Sequence, residues 1–179
     1  MTMDLSSWSG PPTDVLGHPV PIQQFVARTD DTVVALQHLT AFPAGCVLAL
    51  HLAVRRGSLD GATWAGVRGI YDSGDPGLPE GPTFGVHLPD GTTATTGRSA
   101  WDQPSDRPRP PVLVDAGSDS SSSDRRFVSR LQLWLWPLPP PHPFEFLVAW
   151  PVLGLDLAST TLDGSAVVRA ARQARPFWA

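Results

Sequence analysis

Side chains able to do chemistry are few in this chain, and none falls into a catalytic spacing. Cys46 is the only thiol, and with Leu48 and Leu50 after it in an apolar run it is expected to be buried, which raises a thiol's pKa and lowers its reactivity. The five histidines are His18, His38, His51, His87 and His142. Holding Zn²⁺ would need three or four of them, or nearby carboxylates, to converge, and their spacing matches no zinc motif. Glu occurs only at Glu80 and Glu145, so no glutamate pair for acid and base work is visible. Asp30-Asp31 and Asp72/Asp75 stand in turn-like sequence where Asp caps and bends the backbone. The string Asp119-Ser120-Ser121-Ser122-Ser123 formally contains Asp-x-Ser-x-Ser, which can offer a carboxylate and two hydroxyls to Mg²⁺. A serine tract produces that pattern by itself, and such a site belongs after a strand of a parallel α/β sheet, which the rest of the chain does not support. A Gly-x-Ser-x-Gly elbow, a P-loop and a Gly-x-Gly-x-x-Gly turn do not occur. These residues assign no catalytic residue, no metal site and no cofactor.

Residues suited to binding are more prominent. Pro139, Pro140 and Pro141 are consecutive and should hold a stiff polyproline II conformation. Pro137-x-x-Pro140 formally fits a PxxP ligand, but Trp136 and Phe144 on either side favour a packed crossover between two sheets. Phe177-Trp178 either anchors a partner or folds back on the body, and the sequence leaves both open. Pro139, Pro140, Pro141, His142 and Trp178 are therefore the candidate partner-binding residues. Trp134, Trp136 and Trp150 could stack bases or sugars, with core packing the stronger reading. Arg125, Arg126 and Arg130 form the main local basic cluster, and Asp119 and Asp124 are near enough in sequence to offset it.

The elements that must position these residues read as strands. Val33 to Val54 holds two alternating runs joined by Phe42-Pro43-Ala44-Gly45, a β-hairpin signal. A three-residue loop closed by a Gly bulge would pair even positions with even, placing Val34, Leu36, His38 and Phe42 on the core face with Cys46, Leu48, Leu50, Leu52 and Val54, and His51 on the opposite face. Thr83 to Leu88 and Thr92 to Thr96 form a second hairpin around Pro89-Asp90-Gly91. Phe127 to Trp136 is apolar on both faces and should be a central strand, and Phe144 to Trp150 lines one face with Phe144, Phe146, Val148 and Trp150. Residues 57–82 read as a long loop that holds at most one edge strand at Val67 to Tyr71, residues 97–111 as irregular, Val112 to Val114 as a short strand and Gly117 to Asp124 as a flexible loop tip. Ser165 to Arg175 has helical period, with Val167, Ala170, Ala171 and Ala174 on one side, ending at Pro176. The whole is expected to be a mostly β, antiparallel sandwich of about seven to nine strands with one C-terminal helix near 165–175, covering residues 18–179 as one domain behind an irregular lead-in, 1–17, whose Trp8 docks on the body or frays.

Composition limits the function classes. The 179 residues are long enough for a core without staples, and Gly and Pro, at 16 and 20 residues, give a loop-rich chain below the level where disorder is the default. Net charge is −4, with all 13 basic residues Arg and no Lys. The acidic balance disfavours nucleic acid, and the missing Lys and Asn fit the codon bias of a GC-rich genome. One cysteine permits no intrachain disulfide and suits a reducing compartment. No apolar stretch approaches a membrane span, and Met1 to Gly10 lacks a signal-peptide pattern, so a cytoplasmic protein without membrane contact is expected.

Ala27-Arg28-Thr29-Asp30-Asp31, Phe42-Pro43-Ala44-Gly45 and Leu133-Trp134-Leu135-Trp136-Pro137-Leu138-Pro139-Pro140-Pro141, with the closing Asp163-Gly164 and the Ala/Arg-rich helix, resemble a group of uncharacterised small actinobacterial proteins. The resemblance covers most of the chain, least well at 57–82 and 97–124, and implies a shared fold and host lineage. That group carries no assigned activity, so it implies no site residues. The resulting expectation is a non-catalytic protein-interaction or assembly module, meeting a protein partner or a second copy through loops or a sheet edge. The alternative is an enzyme or small-ligand carrier with a cleft at one end of the sandwich, which a ligand-sized pocket with converging polar groups would mark.

Overall fold

Apolar alternation carries the chain through a succession of antiparallel strands: β1 (Val15–Leu16), β2 (His18–Arg28), β3 (Thr32–Phe42), β4 (Gly45–Arg55), helix α1 (Gly61–Arg68), β5 (Thr83–His87), β6 (Thr93–Thr95), β7 (Val112–Ser122), β8 (Arg126–Trp136), β9 (Pro143–Trp150), β10 (Leu155–Asp163), helix α2 (Gly164–Ala171) and β11 (Arg175–Pro176). These come from a computed structural model that describes residues 7–70, 81–96 and 108–178. A five-stranded sheet has the order β2-β3-β4-β8-β7, a four-stranded sheet the order β10-β9-β5-β6, and β1 pairs with β11 in a short ribbon. Leu36, Leu48, Leu50 and Leu133 from the first sheet and Phe84, Val86, Phe146 and Val148 from the second belong to one buried cluster. The mostly β, antiparallel sandwich with a C-terminal helix is thus what this sequence forms. Among the described residues no helix is long and apolar enough to cross a membrane.

The β3–β4 hairpin departs from the expected register in an instructive way. Val34 opposes Leu52 and Leu36 opposes Leu50, even with even, but beyond a bulge Leu39 opposes Leu48 and Ala41 opposes Cys46. The adjacent polar residues Gln37 and His38 are both exposed, and Gln37, the extra residue between the pairs Leu36–Leu50 and His38–Ala49, switches which alternate positions face inward. His38 therefore lies outside, opposite Ala49, and not on the core face. With the bulge placed there, Phe42 pairs with Gly45 across the two-residue loop Pro43-Ala44, so no Gly bulge closes the turn. Gly45 is needed for close approach, since a Cβ would strike the Leu135 carbonyl oxygen and the Trp134 ring.

Other bulges fall near the same line across the five-stranded sheet. β2 is irregular between Pro21 and Gln24, which face His38 and Leu36, and β7 between Asp115 and Gly117, which face Leu133 and Gln132. Gln23 there has φ 53° and Gly117 φ 143°. Bulges bend a strand and sharpen its twist, so this line divides the sheet into two halves.

Several expectations are corrected. Residues 61–68 form a helix, so α2 is not the only one. Asp60 caps α1, its carboxylate accepting from the Thr63 N–H (2.8 Å) and hydroxyl (3.0 Å), and these bonds hold the Asp60 carboxyl below its ordinary value. α1 buries Trp64 and Val67, and its eight residues, two of them Gly, are too few to show helical period in sequence. The expected edge strand at 67–71 is absent from its described part, and Tyr71 lies outside the described residues, as do residues 97–107 of the irregular stretch, residues 1–6, Asp72 and Asp75. The serine tract is strand and not loop tip: Gly117 to Ser122 pair in order with Gln132 to Phe127, because the edge of β8 supplies backbone partners whatever the side chains are. α2 ends at Ala171, four residues before the expected end. Val15 pairs with Pro176 and Leu16 with Arg175, and the Phe177 N–H donates to the Asp14 carbonyl (2.8 Å), pulling the chain out of helix.

Candidate functional site

The outer face of the five-stranded sheet carries two very different surfaces on the same strands. On one side of the bulge line Phe42, Val47, Val112, Val114, Trp134 and Trp136 form a second buried cluster, against which Trp8 and Val15 pack. Phe42 meets Trp134 edge to face at 5.9 Å, and Trp134 Nε1–H donates to the Ser7 carbonyl (3.0 Å). The lead-in docks here through Trp8, which is half-buried. Trp150 belongs to the sandwich core instead, so the three tryptophans do not form one platform.

Past the bulge line the outward residues become polar. His51, Ala53 and Arg55 alternate outward on β4, Arg130, Val128 and Arg126 on β8, and Asp119 and Ser121 on β7. The pairing sets His51, Arg130 and Asp119 in one row, Ala53, Val128 and Ser121 in the next, and Arg55 opposite Arg126. His51, Ala53, Val128, Arg126, Arg130, Asp119 and Ser121 line an open groove of about 390 Å³. The small apolar residues Ala53 and Val128 form the half-buried middle of its floor.

Electrostatics distinguish this groove. Arg55 and Arg126 are like charges directly opposite on adjacent strands, an arrangement that destabilises a sheet. Sequence proximity suggested that Asp124 offsets the cluster, but its carboxylate lies 4.0 Å from Arg68 on α1. Asp119 sits beside Arg130 in the row, and among the described residues neither Arg126 nor Arg130 is in an ion pair within 4.0 Å. Arg55, like His51, is a member of this surface that sequence reasoning missed. It joins the cluster only through the pairing of β4 with β8, 71 positions further along for Arg126, which no local pattern announces.

Ser, His and Asp types all occur in the groove without forming a nucleophile and base. His51 and Asp119 flank Arg130 from opposite strands, two strand spacings or about 10 Å apart at the backbone, and among the described residues no hydrogen bond joins His51 to Ser121 or Asp119. Cys46 is fully buried and desolvation pushes its thiol far up, so it carries no thiolate chemistry. Among the described residues no three His, Cys, Asp or Glu side chains gather as metal ligands.

The sequence-derived binding residues are split by the fold. Pro139 is buried, Pro140 half-buried, and Pro141 and His142 exposed. The segment runs from β8 to β9, between the two sheets, and α2 packs on it: the Ser165 hydroxyl donates to the Pro141 carbonyl (2.8 Å), and Gly164 lies so close to the Pro140 and His142 carbonyl oxygens that no Cβ would fit. Of the candidate residues in this segment, Pro141 and His142 are open to a partner, as is Pro137 beside them. Trp178 is 80% exposed, with Phe177 and Leu16 also exposed, on the β1–β11 ribbon and not beside the groove. Compared with known proteins, the chain matches no family model, no curated protein and no solved structure.

Proposed function

We propose that this protein is a non-catalytic interaction module that receives a protein partner on the open half of the outer face of its five-stranded sheet. The observation that supports the reading most is the contrast within one sheet face. The apolar half is covered by the chain's own lead-in, whereas the other half holds an open groove lined by His51, Arg126 and Arg130, with Arg55 opposed to Arg126 at its end. Binding sites hold such locally unfavourable arrangements because a ligand relieves them. A protein partner fits better than a nucleic acid. The basic surface is a short patch bordered by Asp119, on a chain of net charge −4, whereas nucleic-acid binders carry an extended basic stripe. A cytoplasmic setting accords with the free thiol. The groove has the volume of a small-molecule site, but it opens on the outer face of the sheet and not at one end of the sandwich, and it lacks a catalytic constellation, which weighs against the enzyme or carrier reading.

The test is site-specific photo-crosslinking in host lysate. A photoreactive residue at Val128 should give a discrete adduct that disappears when Arg126→Glu is added, while one at Thr161, on the four-stranded sheet, should give none. Equal labelling from both positions, or none from Val128, contradicts the proposal.

A further inference from the structure

We infer that the groove recognises an extended acidic peptide segment whose two carboxylates are four residues apart, with a small apolar side chain midway. This rests on the open half of the sheet face being the partner site and specifies what it reads. Three observations carry it. First, an arginine stands at each end of the groove. Arg126, opposite Arg55, is at one end, and Arg130, in one row with His51 and Asp119, is at the other, with Ala53 and Val128 paired between them. Second, Arg126 and Arg130 are four residues apart on one strand, about 14 Å at 3.4 Å per residue. An extended segment lying along β8 repeats that spacing, so carboxylates at its first and fifth positions reach the two ends together, while the third position lies over Val128. Third, the complement is charge-specific. Asp124, the carboxylate nearest in sequence, lies toward Arg68, 4.0 Å away, and not at Arg126, and an incoming carboxylate between Arg55 and Arg126 removes their mutual repulsion. Arginine also offers paired donors matched to a carboxylate.

The test is a titration of the full-length ¹⁵N-labelled protein with capped ten-residue peptides, followed by amide chemical shifts. One peptide carries Asp at positions 3 and 7 with Val at 5; in a second both Asp are Asn; a third has the two Asp adjacent. Inorganic phosphate and an oligothymidine serve as competing anions. The expected result is shifts confined to 51–55, 119–121 and 126–130. The spaced-Asp peptide should bind roughly tenfold more tightly than the Asn peptide, as two exposed ion pairs of up to about 0.7 kcal/mol each allow, and more tightly than the adjacent-Asp peptide. R126E/R130E should abolish the shifts and leave those of core residues unchanged. Equal binding of all three peptides, shifts centred on Pro141, His142 or Trp178, no binding at millimolar peptide, or tighter binding of phosphate or oligothymidine at the groove would each overturn the inference. A Val128 crosslink that persists alongside peptide failure would overturn the acidic motif alone; loss of the crosslink as well would overturn the partner site itself.

Discussion

The two halves of the outer sheet face are made from the same strands, separated by one line of bulges, and have opposite fates. Toward the β3–β4 turn the outward positions are Phe42, Val47, Val112, Val114, Trp134 and Trp136, and the chain packs Trp8 and Val15 over them. Away from it the same alternation places His51, Arg55, Arg126, Arg130 and Asp119 outward, and the face stays open. Apolar surface left exposed is a liability that the fold covers. Opposed arginines are also unfavourable, yet among the described residues no carboxylate is in an ion pair with either of them. The first half is covered by the chain itself; the second is the surface proposed to receive a partner.

The largest effect that can break this contrast is in the covered half. Trp134→Ala should lower unfolding free energy by about 3–5 kcal/mol, read from urea denaturation, since the ring is fully buried. The amides of residues 7–10 should lose dispersion in the same variant. Next is the crossover that joins the sheets. Gly164→Ala should destabilise by about 1–3 kcal/mol through collision with backbone carbonyls, while Pro141→Ala, at an exposed position, stays within about 0.5 kcal/mol. The reverse order would make the proline segment something other than a strut for α2. In the open half, Arg130→Ala should change stability by about 0.5 kcal/mol or less while removing the Val128 crosslink and the peptide shifts.

Acid adds a finer distinction. The Asp60 and Asp90 carboxyls are both held below their ordinary value, Asp60 by hydrogen bonds from Thr63 and Asp90 by those from Thr92. Their contribution to stability is present above the unfolded carboxylate range and is lost as pH falls through the depressed folded values. The double variant Asp60→Asn, Asp90→Asn should therefore show a shallower loss of thermal stability below the unfolded carboxylate range. An unchanged acid limb would show that neither carboxylate matters to folding.

Much of the fold was legible where side-chain period and burial agree. The alternation of Leu131, Leu133 and Leu135 against Trp134 and Trp136 marked β8 as an interior strand, and Phe144, Phe146, Val148 and Trp150 marked the inward face of β9. Phe84, Val86 and Leu88 did the same for the hairpin of β5 and β6, where the pairing is observed. Illegible were the places where geometry depends on distant partners. The serine tract became strand only because β8 lay beside it, and β10, polar at most outward positions, gave no periodic signal. The bulge at Gln37-His38 was visible as two consecutive polar residues between two apolar phases, a signal that a single-register reading passes over. The groove was half legible: Arg126 and Arg130 stood out as a basic cluster, but Arg55 and His51 joined it only through the long-range pairing of β4 with β8.

The most direct test of the contrast is the stability of Arg126→Glu against the native protein in urea at low and high salt, without any partner present. Relief of the opposed Arg55–Arg126 pair predicts a variant more stable by about 0.2–1 kcal/mol at low ionic strength, the gain shrinking as salt screens the exposed charges. A variant less stable than the native protein at low salt would show that Arg126 holds the fold together, and would contradict the reading of this half of the sheet as a surface kept for a partner.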